Sequence, residues 1–317
     1  MKMKKASPAR RRRIRIGTRG SQLALFQANA VAEYLRANHP EVTAEIVKIK
    51  TTGDKILDSP LSKIGDKGLF TKEIEKSLLD NEIDCAVHSL KDLPTELPEG
   101  LKIIAFSARE DVRDALIAQD GMKLLELPKG STVATGSLRR RSQLMHLRSD
   151  LNIVDIRGNL NTRLRKMEAE GFAGMILAFA GIKRLGMADK VTEVLKPETM
   201  LPAVGQGIIA VEARESDSEM KGLLSGFNAG DSEVAANAER AYLARLEGGC
   251  QVPIGVYTSF ENRNVRGMVA SLDGERLING SVALDENHPG KTGDELAVKL
   301  LSLGADKILE EIRSASA

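Results

Sequence analysis

The sequence is poor in aromatic residues, cysteine and histidine. Aromatic side chains make up 3% of the 317 residues and tryptophan is absent, so the chain offers few platforms on which nucleic-acid bases could stack. With two cysteines, four histidines and no C-x-x-C pair, a disulfide scaffold and a structural zinc site are both disfavoured. No apolar run is long enough to span a bilayer, and no signal-peptide segment follows the N-terminus. These absences predict a reduced, cytoplasmic protein.

The residues that are abundant describe a globular protein with more than one domain. Hydrophobic residues account for 42% of the chain and charged residues for 28%, which is ordinary for a folded protein. A chain of 317 residues exceeds what one hydrophobic core usually supports, so we expect two or three domains. Residues 1–15 carry eight lysines and arginines and no acid. Such an arm can bind nucleic acid, but the scarcity of aromatics favours a solvated tail.

Alternating strand and helix patterns predict an α/β organisation. Residues 14–16 form a short strand, residues 17–21 a glycine-rich turn, and Ser21 caps the helix that follows. A strand, turn and helix N-terminus in this order can bind an anion, and Arg19 adds positive charge. The other predicted strands cover residues 42–50, 83–88, 101–106, 131–136, 152–156, 173–178 and 208–212. We interpret residues 109–114 as a polar crossover, and 208–212 as a strand that returns to the first array.

The last part of the chain has a different pattern. A helix is predicted over about residues 232–246, followed by alternating strands, a hairpin turn at Asp273-Gly274 and a final helix from Thr292. These elements predict a small α+β domain. Between them lies the loop Leu246–Gly255, in which two adjacent glycines precede Cys250. Taken alone, Cys250 is either a packed small hydrophobe, as most free cysteines are, or an exposed reactive thiol.

Cations recur where strands end and helices begin. Arg139 and Arg140 fall in the first turn of a helix capped by Ser137, where the helix dipole disfavours positive charge, so we expect an anion there. The other cations in such positions are Arg19, Lys63, Lys67, Lys91, Arg157, Arg163 and Arg184. Each alone would be a solvated surface residue. Together they indicate a polyanionic ligand that carries either phosphates or many carboxylates. We interpret His88 and Cys85, which lie in an apolar run, as structural residues.

Six sequence motifs resemble those of the porphobilinogen deaminase (hydroxymethylbilane synthase) family. They are VHSLKDLP, TGSLRRR, IRGNLNTRL, LAFAGIKRLG, LPAVGQGIIAVE and LEGGCQVPIG, in the family's order over about residues 14–317. The resemblance implies two type II periplasmic-binding-protein-like α/β domains around a cleft, plus a small α+β C-terminal domain. The implied division is a basic tail at 1–13, domain 1 at 14–107 with 208–225, domain 2 at 113–201 and domain 3 at 230–317.

The resemblance also implies a reaction. The family's enzyme is a transferase that condenses four porphobilinogen molecules head to tail, with loss of ammonia, on a covalent dipyrromethane cofactor that it builds itself. Water then releases hydroxymethylbilane. Asp92 matches the catalytic aspartate, which stabilises positive charge on a pyrrole nitrogen and assists proton transfer. Cys250 matches the cysteine that holds the dipyrromethane through a thioether. Each pyrrole carries an acetate and a propionate, which explains the need for so many cations.

Further residue roles are implied by the same motifs. Lys91, Asp92, Ser137, Arg139 and Arg140 match cofactor-binding positions. The positions that match substrate binding are Arg19, Ser21, Arg157, Arg163 and Arg184, and those that match the active-site loop are Lys63, Lys67 and Phe70. No metal is implied. The expected small-molecule partner is porphobilinogen, with no nucleic acid or membrane. We expect a monomer that passes its product to uroporphyrinogen III synthase.

Two positions depart from the family pattern, and two other protein classes have to be considered. Gly136 stands where a serine is usual, and Gly20 where glutamine is commoner, which affects the expected strength of binding. A solute-binding protein would share the two-domain cleft but would require export. A cysteine hydrolase would require a histidine near Cys250, and the sequence specifies no such pairing. A covalent adduct of two pyrroles would distinguish the deaminase from both.

Overall fold

The computed structural model describes residues 12–55, 68–247 and 252–315. Most of the predicted basic tail, both loop lysines (Lys63 and Lys67) and Cys250 lie outside the described residues. No helix in the described part of the chain is both long enough and apolar enough to cross a membrane.

Thirteen strands and ten helices are assigned in the described residues. The strands are β1 (Arg12–Thr18), β2 (Val42–Lys48), β3 (Cys85–Ser89), β4 (Leu101–Phe106), β5 (Asp114–Ala118), β6 (Thr132–Ala134), β7 (Asn152–Val154), β8 (Gly174–Ala178), β9 (Glu193–Leu195), β10 (Ile209–Arg214), β11 (Ile254–Ser259), β12 (Asn264–Ala270) and β13 (Leu277–Ala283). The helices are α1 (Gln22–Asn38), α2 (Thr52–Lys55), α3 (Lys72–Leu79), α4 (Leu138–Leu147), α5 (Leu160–Ala169), α6 (Phe179–Arg184), α7 (Ser218–Leu223), α8 (Gly230–Arg245), α9 (Pro289–Leu300) and α10 (Asp306–Ser314).

Two five-stranded sheets share one topology. The first has the order β2-β1-β3-β10-β4 and the second β7-β6-β8-β5-β9. In each, three neighbouring strands are parallel, the fourth is antiparallel to both of its neighbours, and the fifth again runs with the first three. The return strand predicted at 208–212 is β10, and its place in the first sheet is confirmed.

The second sheet contains two strands that the sequence did not reveal. These are β5 and β9, which pair with each other at one edge. The interpretation of residues 109–114 as a polar crossover is wrong at its last residue, because Asp114 begins β5 and is fully buried. A single carboxylate at the start of an otherwise apolar strand looks, in sequence, like the end of the preceding polar run.

A third, antiparallel sheet has the order β11-β12-β13 and packs against α8 and α9. The predicted turn at Asp273-Gly274 joins its last two strands, and Gly274 has a positive φ of 75°. The helix predicted to start at Thr292 and to be the last begins at Pro289, three residues earlier, because proline is well accommodated in the first helical turn. It is followed by one more helix, α10. Two α/β units with a smaller α+β unit confirm the predicted fold class.

The first strand–turn–helix unit shows how the sequence positions a side chain at the cleft. Ser21 Oγ accepts the Ala24 amide at 3.3 Å and caps α1. Val31 and Leu35 on α1 are fully buried, and burial of one such side chain stabilises the fold by about 1.5–3 kcal/mol. The cap and this packing fix the direction of α1, so Arg19 lies at the carboxyl end of β1.

Two chain segments cross between the α/β units, at residues 107–113 and 200–208. Both are attached to the third unit through Glu239 of α8, which is fully buried. Its carboxylate accepts Arg109 Nη1 from the first crossing at 2.6 Å and the Gly205 amide from the second at 2.8 Å. It also accepts the Thr258 amide of β11 at 3.1 Å. Glu239 therefore joins all three units.

Candidate active site

Lys91 and Asp92 leave the first sheet at the carboxyl end of β3. They belong to a 3-10 turn, Leu90–Asp92, in which Leu90 is buried and its amide donates to Ile208 O at 3.0 Å. This anchoring leaves Asp92 exposed and Lys91 half-buried. Burial lowers the pKa of Lys91 to about 8, although the negative charge of Asp92 opposes this effect. The turn thus presents a carboxylate beside an amine whose charged form is less stable than that of an ordinary lysine.

A small pocket beside Asp92 contains three other predicted site residues. It is lined by Arg19, Ser21 and Phe70, and also by His88. The Arg19 guanidinium lies 4.0 Å from the centre of the Phe70 ring, a cation–π contact. Arg19 Nη2 also donates to Asp54 Oδ1 at 2.5 Å. Arg19 is therefore held in place before any ligand binds.

His88 and Cys85 are both buried, as their apolar context predicted. His88 Nε2 lies 3.1 Å from Glu212 Oε2, and both side chains are buried. Cys85 is fully buried in the core of the first sheet. Burial raises the pKa of the Cys85 thiol, which keeps it protonated and makes it a poor nucleophile.

Arg139 and Arg140 share one buried carboxylate. Ser137 Oγ accepts the Arg140 amide at 3.4 Å, which confirms Ser137 as the cap of α4. Arg139 Nη1 donates to Asp114 Oδ2 and Arg140 Nη2 donates to Asp114 Oδ1, both at 2.8 Å. Burial raises the pKa of Asp114, but the two arginines outweigh it and hold that pKa far below its usual range. The anion expected at this helix start is thus, at least in part, a protein carboxylate.

One carboxylate does not satisfy the two arginines. Arg139 is 5% exposed and Arg140 6%, yet the Nε of each is buried and has no hydrogen-bond partner in the described part of the chain. Two positive charges also face one negative charge. Unsatisfied buried donors and an excess of buried positive charge are both unfavourable. The excess positive charge fits a ligand that brings further carboxylates, such as the acetates and propionates of a dipyrromethane.

The remaining predicted arginines also lie on the second unit. Arg163 on α5 donates through Nε to Gly158 O at 2.8 Å. Burial, together with the charges of Arg140 and Arg157, lowers its pKa to about 10, and Asp155 and Asp92 act in the opposite direction. The negative charge of Asp92 is therefore close enough to Arg163 to favour its charged form. Arg184, at the end of α6, donates to Gly207 O in the second crossing at 2.6 Å.

Asp114 and Gln206 are site-associated residues that the sequence reasoning missed. Gln206 Nε2 donates to Asp114 Oδ1 at 2.9 Å and to Val112 O at 2.6 Å. Its two glycine neighbours, Gly205 and Gly207, both have positive φ, and a Cβ on Gly207 would lie 2.4 Å from Glu110 O. The motif G-Q-G was visible in the sequence, and a glutamine fixed between two required glycines could have been singled out from it.

The two departures from the family pattern have different surroundings. A Cβ on Gly136 would lie 3.0 Å from Ile156 O and 3.1 Å from Asp155 Oδ1, whereas a Cβ on Gly20 would have no atom within 4 Å. A serine at Gly136 would thus require its neighbours to shift. A longer side chain at Gly20 would not.

Comparisons with known proteins agree on one family. Residues 14–222 match the family model "Porphobilinogen deaminase, dipyromethane cofactor binding domain", and residues 234–302 match "Porphobilinogen deaminase, C-terminal domain". Porphobilinogen deaminase of Desulfitobacterium hafniense is 54% identical over 303 residues, or 95% of this chain and 98% of that protein. Porphobilinogen deaminase of Carboxydothermus hydrogenoformans is 54% identical over 300 residues, or 94% and 96%. Among solved structures, the methionine binding protein MetQ is 14% identical and covers 72% of this chain and 94% of its own, with a TM-score of 0.45.

Proposed function

This chain belongs to the porphobilinogen deaminase family, and we propose that it condenses four porphobilinogen molecules head to tail and releases hydroxymethylbilane. It is a transferase of tetrapyrrole biosynthesis with a dipyrromethane cofactor. When bound, that cofactor supplies the free pyrrole α-carbon to which each new unit is joined. Each condensation forms one carbon–carbon bond and expels one ammonia, and water cleaves the finished product from the cofactor.

Asp92 is the catalytic carboxylate in this proposal. Loss of ammonia from porphobilinogen leaves positive charge on the pyrrole nitrogen, and a carboxylate held beside that nitrogen stabilises it. Asp92 also accepts and returns protons during the condensation. Its exposure at the end of β3, in the pocket that Arg19 and Phe70 line, supports this role. Removal of a group of this kind lowers turnover by roughly 10²–10⁴-fold.

The observation that carries the proposal is the excess of buried positive charge opposite Asp92. Arg139 and Arg140 share Asp114 and keep two unsatisfied buried donors, and the charges of Arg140 and Asp92 both reach Arg163. Lys91 lies close enough to Arg139 and Arg140 for their charges to lower its pKa. A growing chain of pyrroles, each with an acetate and a propionate, supplies carboxylates that balance this excess positive charge.

The remaining assignments follow the sequence motifs. Lys91, Ser137, Arg139 and Arg140 hold the cofactor, and Cys250 attaches it. Arg19, Ser21, Arg157, Arg163 and Arg184 hold substrate or the growing chain, while Lys63, Lys67 and Phe70 act over the cleft. The state of Cys85, buried and protonated, supports the choice of Cys250, since the chain has two cysteines.

The broader organisation also belongs to this proposal. We propose the domain boundaries that the sequence implied, at 14–107 with 208–225, 113–201 and 230–317. We expect a cytoplasmic monomer that passes its product to uroporphyrinogen III synthase. Sedimentation of the purified protein at several concentrations tests the monomer directly.

Asp92→Asn tests the catalytic assignment. The amide keeps the shape of the carboxylate but cannot stabilise a positive charge, so turnover of porphobilinogen should fall by roughly two orders of magnitude or more. Intact mass should still show the cofactor or a partly extended chain. Asp84→Asn is the matched control, because Asp84 precedes the same strand at its opposite end, where it pairs with Arg15, and turnover should remain near the wild-type value. Near-normal turnover in Asp92→Asn would mean that another group stabilises the cation.

A further inference from the structure

Asp114 is the point at which the two chain crossings meet the arginines of the second unit. Its carboxylate accepts Arg139 and Arg140 at 2.8 Å each. The same Oδ1 that binds Arg140 accepts Gln206 Nε2 from the second crossing at 2.9 Å. Asp114 itself follows directly on the first crossing and is fully buried. No solvent-exposed atom of Asp114 remains to meet a ligand, so any influence on the cleft passes through its partners.

The hydrogen bonds that Asp114 accepts hold the two guanidinium groups in place. Arg139 and Arg140 are adjacent on α4 and nearly buried, so without an anion between them their charges would repel one another in a medium of low dielectric. Asp114 occupies one terminal nitrogen of each and leaves both Nε donors without a partner in the described part of the chain. The pair thereby keeps both its excess charge and a fixed direction.

Both crossings also hold this cluster from outside the second sheet. Gln206 binds Val112 O in the first crossing at 2.6 Å as well as Asp114. Leu201 O, at the start of the second crossing, accepts Arg139 Nη1 at 2.5 Å. A change in the path of either crossing would therefore displace the hydrogen-bond partners of the arginines.

We propose that Asp114 is a positioning residue, which orients Arg139 and Arg140 to receive the carboxylates of the cofactor, and that Gln206 links this orientation to the chain crossings between the two α/β units. This inference rests on the proposed function, because it assigns the two arginines to the cofactor. Asp114 touches neither cofactor nor substrate and acts through the arginines alone.

A purely structural role for Asp114 would predict a different set of results. A buried ion pair can stabilise the fold without affecting ligand binding, and Glu239 provides the comparison within the same chain. Like Asp114, Glu239 is fully buried and binds an arginine, Arg109, at 2.6 Å. It joins the crossings to the third unit but makes no hydrogen bond to Arg139 or Arg140.

The experiment measures cofactor loading and stability separately. Cofactor-free wild type, Asp114→Asn, Asp114→Glu and Glu239→Gln are incubated with increasing porphobilinogen, and intact mass gives the fraction that carries two added pyrroles. Thermal unfolding of the cofactor-free forms gives stability. We expect Asp114→Asn to require roughly tenfold more porphobilinogen or more for half-loading, because both arginines lose a charged hydrogen-bond partner. Asp114→Glu, which retains the charge, should recover part of the loss. Glu239→Gln should lower the unfolding temperature and, because Glu239 holds both crossings, should reduce loading by less than Asp114→Asn does.

Gln206→Met provides a second test that keeps Asp114 and both arginines. It removes the hydrogen bond from the second crossing to Asp114, and should raise the half-loading concentration by less than Asp114→Asn does. If Asp114→Asn does not fold, Gln206→Met alone is the test, and loading of Gln206→Met at the wild-type level would overturn the inference. Normal loading of Asp114→Asn, or equal loading losses in Asp114→Asn and Glu239→Gln, would also overturn it. Wild-type protein without any pyrrole adduct would instead contradict the proposed function.

Discussion

We expect Lys91 to lower the stability of the cofactor-free protein, although it helps that protein to bind the cofactor. Its amine is half-buried next to the arginine pair, and burial together with the charges of Arg139 and Arg140 lowers its pKa to about 8. Without bound ligand carboxylates, the protonated form of Lys91 is therefore energetically unfavourable in the folded protein. Lys91→Met removes the amine and keeps much of its apolar stem, so we expect the cofactor-free protein to become more stable while its capacity for cofactor falls.

The size and sign of this effect follow from the pKa. A decrease from the usual 10.5 to about 8 corresponds to about 3 kcal/mol, at ~1.4 kcal/mol for each tenfold change. Because solvent reaches part of the side chain and screens it, we expect about 1–2 kcal/mol. Below pH 8 both folded and unfolded states carry the proton, so the folded state bears the full cost. Between pH 8 and 10.5 only the unfolded state still binds it, so wild-type stability rises with pH.

Urea unfolding of cofactor-free protein at several pH values tests this reasoning. Lys91→Met should exceed the wild type in stability most at pH 7, and the difference should shrink as the pH rises from 8 towards 10.5. Lys76→Met is the control, because Lys76 is exposed on α3, pairs with Asp80 and has a raised pKa, so its removal should not stabilise the protein. A Lys91→Met protein no more stable than the wild type at pH 7, or a gain that does not change with pH, would refute the argument.

The other predicted variants separate cofactor binding from chain elongation, and compare substitutions of the glycines in the turns before α4 and α1. Arg139→Leu or Arg140→Leu should give largely cofactor-free protein with a lower unfolding temperature, since a bound cofactor stabilises the fold by mass action. The leucine variants at Arg157, Arg163 and Arg184 should keep the cofactor but accumulate one, two or three extra pyrroles. Intact mass after brief exposure to porphobilinogen should show these species. The same species distribution in all five would contradict this staging. Gly136→Ser should cost about 1–2 kcal/mol of stability through crowding against Ile156 O, whereas Gly20→Gln should be nearly neutral in the same unfolding assay. Equal effects of the two would show that the crowding is relieved without cost.

The parts of the fold that the sequence predicted depend on neighbours along the chain. Ser21 and Ser137 cap α1 and α4 as expected, because a cap is decided by a hydrogen bond three residues away. The apolar alternation from Val252 onwards likewise predicted β11 closely. Such local rules also predicted an anion near Arg139 from the helix dipole alone.

What the sequence did not reveal depends on contacts between distant residues. Asp114 forms hydrogen bonds with Arg139, Arg140 and Gln206, which lie 25, 26 and 92 residues further along the sequence. Nothing in the polar run before β5 distinguishes Asp114 from its solvated neighbours. Its role is created by sheet packing, which brings a buried carboxylate against the start of a helix from another part of the chain. The helix dipole could therefore predict that a negative charge lies near Arg139, but not that Asp114 supplies it.

Intact mass of the purified protein tests the central claim most directly. Wild type and Cys85→Ser should each carry the mass of two porphobilinogen units less two ammonia molecules, and peptide mapping should locate it on the peptide that contains Cys250. Cys250→Ser should be folded and free of the adduct, because a serine hydroxyl is a far poorer nucleophile than a thiolate. An adduct of normal mass in Cys250→Ser, or its loss in Cys85→Ser, would contradict the account.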